Sequence, residues 1–459
     1  MELDVGALRD RISGSVLTPS DPGYEETRAL WNGVIDRRPV AIARCRSDDD
    51  VREAIGFGRE RGLKIAVRGG GHQVAGTGSI DDGLVVDLSE MNEVLVDPER
   101  RTARVGGGAR LGDVDRATQE QGLAVPVGVV SETGVAGLTL SGGMGYLRRL
   151  HGLSCDNLLS ARVVTARGEV LAASEDEHAD LLWALRGGGA SVGAVTSFEF
   201  RAHPVGPDVA FCFVLYRAER GIEILRAADE LVGSGPDAVA PLAFYGRVPE
   251  AEAFPADAVG EPFVAILAPH PGPAEEGERA LRPLRELGEP IADLSGRSTW
   301  VEAQQLLDED YPNGLRYYWT SVELVGLPEA ALEQLRASAE AAPSDLSTID
   351  VWFQGGAMAR VDPEATAFGD RSAPILIGIE ANWERAEDDE GNIAWARRCA
   401  EELEPFSTGG TYLNFAGFFE EGDEQVRRAV GERNFERLAA VKETYDPDGV
   451  FVGRRGARR

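Results

Sequence analysis

The stretch VRGGGHQVAGTG, at residues 67–78, places three consecutive glycines directly before His72. Glycine loses more conformational freedom on folding than any other residue, so such a run needs a physical reason. Backbone N–H groups approach an anion closely only where no Cβ intervenes, which makes glycine-rich turns after strands candidate phosphate cradles. An imidazole beside such a cradle can act as a base, as a hydrogen-bond donor or as a nucleophile toward an electrophilic cofactor.

Two further glycine clusters follow, TGVAGLTLSGGMG at residues 133–145 and RGGGASVG at residues 186–193. None of the three continues into GKS or GKT, and none has GxGxxG spacing, so neither a P-loop nor the usual dinucleotide fingerprint is present. Glycines that only serve tight turns would explain one such cluster. Three clusters in the N-terminal half of the chain favour a nucleotide site instead.

The elements around these clusters alternate between strands and helices. Helices are predicted at 48–61 and 111–121, between strand-like segments such as KIAVRGGG and GLVVDLS, which indicates a mixed α/β layer. Residues 158–173 predict a β-hairpin that turns at 166–168. The cluster at 133–145 has no period and predicts backbone wrapped around a ligand rather than a packed element.

Two prolines and a glycine within RAHPVGP, at 201–207, mark a candidate domain boundary. Beyond it, strand-like segments outnumber helices and are joined by connections of very different length. This pattern is typical of an antiparallel sheet covered on one side. A last helix is predicted at 423–444, where YDPDG ends it.

The 459-residue chain carries a formal net charge of -30, which disfavours nucleic acid and anionic membranes as partners and favours a small-molecule substrate. No apolar run approaches the roughly 18 residues of a membrane-spanning helix, and the N-terminus lacks the features of a secretory signal. We therefore predict a cytoplasmic protein. Acidic residues number 77 against 47 basic ones, nearly all arginine, which favours a halophilic source over an acidic protein from a GC-rich genome.

The four cysteines lie far apart and form no CxxC pair, so we predict neither a metal site nor a disulfide framework. Taken together, RGGGH, GVVSETGVAGLTLSGGMGYL, LLWALRGGGASVGAVTSFEF, TYLNFAGF and YDPDGVF resemble the berberine-bridge-enzyme-like branch of the vanillyl-alcohol-oxidase flavoprotein family. The resemblance covers nearly the full length. It implies an α+β fold, with a PCMH-type FAD-binding domain of two α/β subdomains at 1–205, a substrate domain at 206–405 whose antiparallel sheet is covered by helices, and a C-terminal return to the FAD-binding domain at 406–459.

The resemblance also implies roles for the glycine clusters. Backbone at Arg68, Gly69, Gly70 and Gly71 would wrap the FAD pyrophosphate and deliver His72 to the flavin, where it would be joined covalently to the 8α-methyl group. Further positions match FAD contacts of the family: Gln73, Val129, Ser131, Thr133, Gly134, Gly137, Gly142, Gly143, Gly145, Asn157 and Val195.

Some family members add a second covalent link from a cysteine in a GVC segment, where this chain has valine at position 130. A single histidyl bond is therefore expected. Cys155 is interpreted as a buried thiol near the cofactor rather than as a second anchor. The chain also departs from the family pattern in the third glycine cluster, at Met144 and in its FVGRRGARR tail, which affects local FAD contacts rather than the fold.

The chemistry implied is oxidation of a C–H bond next to oxygen or nitrogen, with hydride passing to flavin N5 and a protein base removing the hydroxyl or amine proton. Tyr412 matches a tyrosine that is the base in sugar-oxidising relatives, and its ordinary pKa of ~10 means that it needs help. Asn414, on the same face of a predicted strand, would orient the substrate or Tyr412. The alternative for both is ordinary strand packing.

Aromatic residues of the second domain are predicted to line the substrate site. Residues two apart in a strand share a face, which pairs Tyr317 with Trp319 and Trp352 with Gln354. Arg360 is predicted as a further contribution of this domain to the substrate site. Aromatic walls with polar tips suit sugar rings and heteroaromatic rings alike. The choice among a carbohydrate, an alkaloid and an antibiotic intermediate therefore stays open.

We predict an FAD-dependent oxidase that uses O2 as electron acceptor. The alternatives are a dehydrogenase with another acceptor, a flavin reductase that holds FAD without a covalent bond, and a flavin-binding protein without turnover. The presence of His72, the expected covalent anchor, disfavours the reductase. The presence of Tyr412, the expected base, disfavours a protein without turnover. The oligomeric state stays open.

Overall fold

The computed structural model describes residues 4–189, 191–418 and 422–453. Its first sheet carries the strand that leads into the first glycine cluster. The order of its four strands is Ser15–Leu17, Ala41–Arg44, Leu84–Asp87, Ile65–Arg68. The last three strands are parallel, so the strand before the RGGGH motif and its neighbour Leu84–Asp87 end at the same edge.

The helix predicted at 48–61 is confirmed as Asp48–Glu60 and connects two parallel strands of this sheet. It begins at Ser47, whose side chain accepts a hydrogen bond from the backbone N–H of Asp50. Three aspartates occupy its first turn, where negative charge stabilises the helix dipole. The helix thereby fixes the direction in which the following strand enters the sheet.

The second sheet is antiparallel and has five strands, in the order Val94–Asp97, Thr102–Gly106, Ala194–Arg201, Leu158–Val164, Val170–Ala173. The last two confirm the predicted hairpin, and the helix Leu111–Gln119 confirms the one predicted at 111–121. The second glycine cluster, which was expected to hold no packed element, contains the short helix Val135–Leu140. Its Val135 is fully buried in the apolar core of this sheet, which explains why a turn of helix forms there.

The third sheet begins just after the proline-rich stretch and is antiparallel throughout. Its strand order is Pro290–Asp293, Asp208–Arg217, Pro262–His270, Leu242–Arg247, Thr348–Phe353, Ile375–Trp383, Arg316–Leu324, with Gly296–Thr299 also paired to Asp208–Arg217. The helices that supply the core beneath it are Gly221–Ser234, Ala274–Arg285, Glu329–Glu340 and Asp389–Leu403. The predicted antiparallel sheet covered by helices is thus confirmed.

Alternate residues of the third sheet face opposite sides. Val351 and Ile377 pack against the helices, whereas Leu242, Trp319 and Trp352 belong to a second core on the other face. The second face is the one turned toward the N-terminal sheets. Side chains on alternate positions of these strands therefore decide what the second domain contributes to any site between them.

The C-terminal segment contains two helices where one was predicted. Gly431 takes a φ of 78° and separates Asp423–Val430 from Glu432–Tyr445. After these helices, Phe451 forms a parallel bridge with Ile65 and so joins the edge of the first sheet. The chain thus returns to its N-terminal part.

The remaining elements are short. They are the two-stranded pair Leu123–Ala124 and His203–Pro204, the α-helices Gly6–Arg9, Tyr24–Arg28, Arg148–His151, Ala179–Leu185, Trp300–Gln304 and Gly356–Ala359, and the 3-10 turns Ser154–Asn157, Ala218–Arg220, Asp308–Asp310, Ala386–Asp388, Glu404–Phe406 and Leu413–Phe415. Within the described ranges, no helix combines the length and the apolar character required to cross a bilayer. Helices together with sheets that are mostly antiparallel confirm the α+β class.

Candidate active site

A cavity of about 260 Å³ lies where the three glycine clusters, the second face of the third sheet and the C-terminal segment meet. The structure therefore brings together segments that are far apart in the sequence. The predicted site residues that line this cavity are Arg68, Gly69, Gly70, Gly71, His72, Gln73, Val129, Thr133, Gly134, Gly137, Val195, Trp319, Trp352, Tyr412 and Asn414.

The first two glycine clusters pack against each other backbone to backbone. A Cβ added to Gly70 would lie 2.5 Å from the Cα of Gly134, and one added to Gly134 would lie 2.4 Å from the Gly70 nitrogen. Glycine is therefore required at these two positions by the contact between the loops themselves. At Gly137 a Cβ would meet no atom within 4 Å, so bare backbone faces the cavity there. The paired loops thus form a wall of accessible backbone.

Arg68 is buried below this wall, and its guanidinium Nη2 lies 2.7 Å from Oδ2 of Asp87. Arg68 and Asp87 are directly paired residues of neighbouring parallel strands. The ion pair ties together the ends of the two strands from which the first cluster emerges. The positive charge of Arg68 is therefore compensated within the protein.

His72 lies on the cavity beside an aromatic ring. Its imidazole stacks on Trp31 with ring centroids 4.0 Å apart, and its Nδ1 lies 3.5 Å from Oγ1 of Thr133. Nε2 is buried and has no hydrogen-bond partner among the described residues. Burial lowers the pKa of the imidazole to about 3, so the ring is neutral at neutral pH. A neutral imidazole keeps the lone pair that a nucleophile needs.

Trp31 positions His72 and was missed by the sequence analysis. Its indole Nε1 donates a hydrogen bond of 2.9 Å to the Tyr311 carbonyl oxygen, and its other face stacks on Tyr317 at 3.6 Å between ring centroids. Tyr317 therefore lies behind Trp31 rather than on the cavity, which corrects its predicted place. Trp31 follows a short helix in an irregular segment, so no periodicity or motif in the sequence marks it.

Tyr412 and Asn414 converge on the cavity, although the strand predicted for them is wrong. The chain enters the 3-10 turn Leu413–Phe415 at this point, and Asn414 Nδ2 donates a hydrogen bond of 2.8 Å to the Tyr412 hydroxyl. The backbone N–H groups of Gly143 and Met144 each donate to the same oxygen at 3.0 Å. Burial raises the pKa of Tyr412 to about 12, and the three donors act in the opposite direction because they stabilise the phenolate.

Several predicted cofactor residues lie behind the wall rather than on the cavity: Ser131, Gly142, Gly143, Gly145 and Asn157. Gly143 has a φ of 89°, a conformation that presents the two N–H groups to Tyr412. A Cβ on Gly145 would lie 1.8 Å from the Val127 carbonyl oxygen. Asn157 donates to the carbonyl oxygens of His151 and Leu153. These residues hold the loop in place.

Two predicted substrate residues are also corrected. The strand Thr348–Phe353 ends before Gln354, so the alternation that places Trp352 on the cavity does not continue to Gln354, whose side chain is buried elsewhere. Arg360 is exposed and its Nη2 lies 2.7 Å from Oδ2 of Asp237 at the surface. Cys155 is buried and does not line the cavity, and burial raises the pKa of its thiol.

Two buried carboxyl groups line the cavity and were not predicted. Asp350 lies in Thr348–Phe353 and Glu380 in the neighbouring strand Ile375–Trp383, and Tyr311 donates a hydrogen bond of 2.8 Å to Glu380. The signal that could have found them is a single acidic residue inside an otherwise apolar strand, because buried carboxyl groups are rare unless they have a function.

Comparisons with known proteins place this geometry in context. A family model described as an FAD binding domain matches residues 39–174, and one described as berberine and berberine like matches residues 411–456. The chain is 31% identical to an uncharacterized FAD-linked oxidoreductase, YgaK, of Bacillus subtilis, over 96% of each chain. It is 30% identical to the (R)-6-hydroxynicotine oxidase of Paenarthrobacter nicotinovorans, over 96% of this chain and 95% of the relative.

Solved structures share the whole fold. The 6-hydroxy-D-nicotine oxidase of Arthrobacter nicotinovorans superimposes with a TM-score of 0.85 at 29% identity, over 96% of each chain. A chitooligosaccharide oxidase superimposes with a TM-score of 0.83 at 21% identity, over 97% of each chain. At that lower identity the second match shows the fold alone.

Proposed function

This chain belongs to the berberine-bridge-enzyme-like family of FAD-linked oxidoreductases, and on that premise we propose that it is an oxidase that uses O2. Bound FAD supplies the hydride acceptor for oxidation of a substrate carbon next to oxygen or nitrogen. The observation that carries the proposal is the meeting of the paired glycine loops, His72 and Tyr412 on one cavity. A dehydrogenase with another electron acceptor is the alternative.

The residues present fit FAD. The paired loops offer bare backbone at Gly137, and a phosphate approaches N–H groups most closely where no side chain intervenes. We propose that residues 68–71 face the pyrophosphate with their backbone and that His72 forms the single covalent bond to the flavin. The neutral imidazole and its buried, unpartnered Nε2 support this bond. Val130 lines the cavity where a second anchor would need a cysteine.

The proposed proton acceptor is Tyr412. Three hydrogen-bond donors converge on its hydroxyl oxygen, so negative charge that develops there is stabilised without rearrangement of the protein. Asn414 is the one side chain among these donors and positions the phenol toward the cavity. Tyr412 can take the substrate proton only as the phenolate, which these three donors favour, and the proton would then move to it as the hydride leaves.

We propose that residues 1–205 and 406–459 form the FAD-binding domain and that residues 206–405 form the substrate domain. Position 190 of the third cluster and residues 454–459 of the tail lie outside the described residues.

We also propose a halophilic source. The net charge of -30 supports it, because salt screens the repulsion within an acidic protein.

Acid precipitation of the purified protein tests the proposal. The wild type is expected to keep yellow colour and in-gel flavin fluorescence after denaturation, whereas His72→Ala releases its flavin into the supernatant. The matched control is His178→Ala, because His178 does not line the cavity. Flavin released from the wild type would contradict the covalent bond and favour the reductase. Hydrogen peroxide formed on turnover in air would support the oxidase, and its absence would favour the dehydrogenase.

A further inference from the structure

The end of the cavity formed by the third sheet carries two carboxyl groups side by side. The strand register places Glu380 opposite Thr348 and Asp350 opposite Gly378, so the two acids are diagonal neighbours on the same face. Both side chains are at least nine-tenths buried and both line the cavity. Asp350 and Glu380 are called the acidic pair below.

The acidic pair has no positive partner in the part of the chain that the structure describes. Asp350 accepts a hydrogen bond of 3.1 Å from Thr348, and Glu380 accepts one of 2.8 Å from Tyr311. The basic side chains on the cavity are Arg68, which is paired with Asp87, and His72, which is neutral at neutral pH. Negative charge on the acidic pair is therefore uncompensated by the protein.

This arrangement is costly unless a ligand completes it, because a buried carboxylate needs an opposite charge or several donors. Burial raises the pKa of Asp350 to about 7 and raises that of Glu380 well above its ordinary range. The negative charge of nearby Asp310 raises both pKa values further, and the charge of Asp350 also raises the pKa of Glu380. The acidic pair therefore holds its protons to a higher pH than ordinary carboxyl groups do, and a bound cation would favour loss of a proton from it.

A second observation points to a ligand at the same place. The indole Nε1 of Trp352 is buried at the cavity and has no hydrogen-bond partner among the described residues. It lies close enough to Asp350 to lower that pKa, but not in hydrogen-bond geometry. A buried donor without a partner carries a desolvation cost, which an acceptor atom of a ligand would remove. Trp319 adds a second indole ring to the lining, and indole faces attract cations.

We infer that this end of the cavity binds a protonated amine that carries a hydrogen-bond acceptor close to its nitrogen, so that the substrate is an amine rather than a neutral sugar or alcohol. The acidic pair holds the positive nitrogen, and Trp352 donates to the neighbouring acceptor. This inference rests on the proposed oxidase function, because it names the substrate class of the same cavity.

Binding of a cation and of its neutral isostere to the anaerobic flavoprotein tests the inference. The probes are choline and 3,3-dimethylbutan-1-ol, which have the same shape and hydroxyl group but differ in charge. Calorimetry is expected to show choline bound at least about tenfold more tightly. Choline binding near pH 7 should also release protons, because a cation lowers the pKa of the acidic pair. Equal affinity for the two probes would overturn the inference.

Two conservative variants test whether the acidic pair causes the preference for choline over its neutral isostere. Asp350→Asn and Glu380→Gln should each reduce the affinity ratio of choline to its isostere severalfold and reduce the proton release. Asp237→Asn, which removes a carboxyl group outside the cavity, should leave both unchanged. An unchanged ratio in both cavity variants would contradict the assignment, and the wild-type ratio remains a test if either variant fails to fold.

Failure of this inference is distinguishable from failure of the proposed function. Oxygen consumption is measured with amines and with the alcohols that correspond to them. Turnover of amines alone supports both the oxidase function and the inferred amine substrate. Turnover of neutral sugars or alcohols with no preference for amines contradicts the inferred amine substrate but not the oxidase function. A protein that binds no flavin removes both.

Discussion

The two ends of the cavity are built from different parts of the chain. The end near the glycine clusters is made mostly of backbone, held in place by contacts such as that between Gly70 and Gly134. The end under the third sheet is made of side chains on alternate strand positions, among them Asp350 and Glu380. The backbone wall depends on the absence of side chains, whereas strand-face side chains can change without disturbing the fold. The two ends should therefore respond differently to substitution.

The largest effect is expected where the backbone wall is broken. Gly70→Ala places a Cβ 2.5 Å from the Gly134 backbone, and the two loops must then separate. We expect the variant to lose bound flavin, as measured by absorbance after gel filtration. Gly56→Ala is the control, because a Cβ there meets no atom within 4 Å. Full flavin content in Gly70→Ala would mean that the loop contact is not needed for the cofactor.

The next largest effect is expected at Tyr412, the proposed proton acceptor. Tyr412→Phe removes the oxygen that Asn414, Gly143 and Met144 address and should slow flavin reduction by about 100-fold or more. Flavin content should not change, because the phenyl ring keeps its packing. Stopped-flow absorbance under anaerobic conditions measures the rate. A rate equal to that of the wild type would exclude Tyr412 as the base.

A smaller effect is expected from the residue that positions His72. Trp31→Ala removes the stacked indole, so the imidazole should sample other orientations and the fraction of acid-stable flavin should fall severalfold. Trp31→Phe keeps an aromatic face and should restore most of that fraction. The fraction is read from flavin fluorescence in denaturing gels. Equal loss in both variants would indicate damage to the fold rather than loss of positioning.

The smallest effect is on stability and belongs to the acidic pair. The pKa of Asp350 is raised to about 7 in the folded protein, against ~3.9 in an unfolded chain. The unfolded state therefore loses this proton first, so the free energy of unfolding falls as pH rises from about 4 to about 7. Asp350→Asn should reduce the fall by about 1–3 kcal/mol. Denaturant titrations at pH 5 and 7.5 measure the free energy of unfolding at each pH. The same difference between the two pH values in the wild type and in Asp350→Asn would contradict the raised pKa.

The sequence is most informative where a motif is local. The RGGGH motif and the TYLNF segment, through the resemblance they carry, point to His72, Tyr412 and Asn414, and all three residues line the cavity. The α+β class follows from the resemblance, whereas periodicity and caps give helix bounds such as those of Asp48–Glu60 and Leu111–Gln119 to within one or two residues. The helix predicted at 423–444 is two helices, because Gly431 takes a positive φ and interrupts it. The sequence pattern does not predict this φ.

Side chains of the third sheet could be assigned only in part. Trp319 and Trp352 reach the cavity as the two-residue alternation predicts, but the strand ends at Phe353 and the alternation cannot be extended to Gln354. Placing Asp350 beside Glu380 requires the register between two strands, which sequence alone does not give. The substrate end of the cavity could therefore not be predicted in full, because it depends on how the strands pair and not only on the sequence of each strand.

The parallel bridge between Phe451 and Ile65 has a consequence for biosynthesis. Phe451, Val452 and Gly453 line the same cavity as the first glycine cluster, although almost the whole chain separates them. A nascent polypeptide that has not yet emerged as far as Gly453 lacks one wall of this cavity. The complete cavity can therefore form only after residues 451–453 have been synthesised.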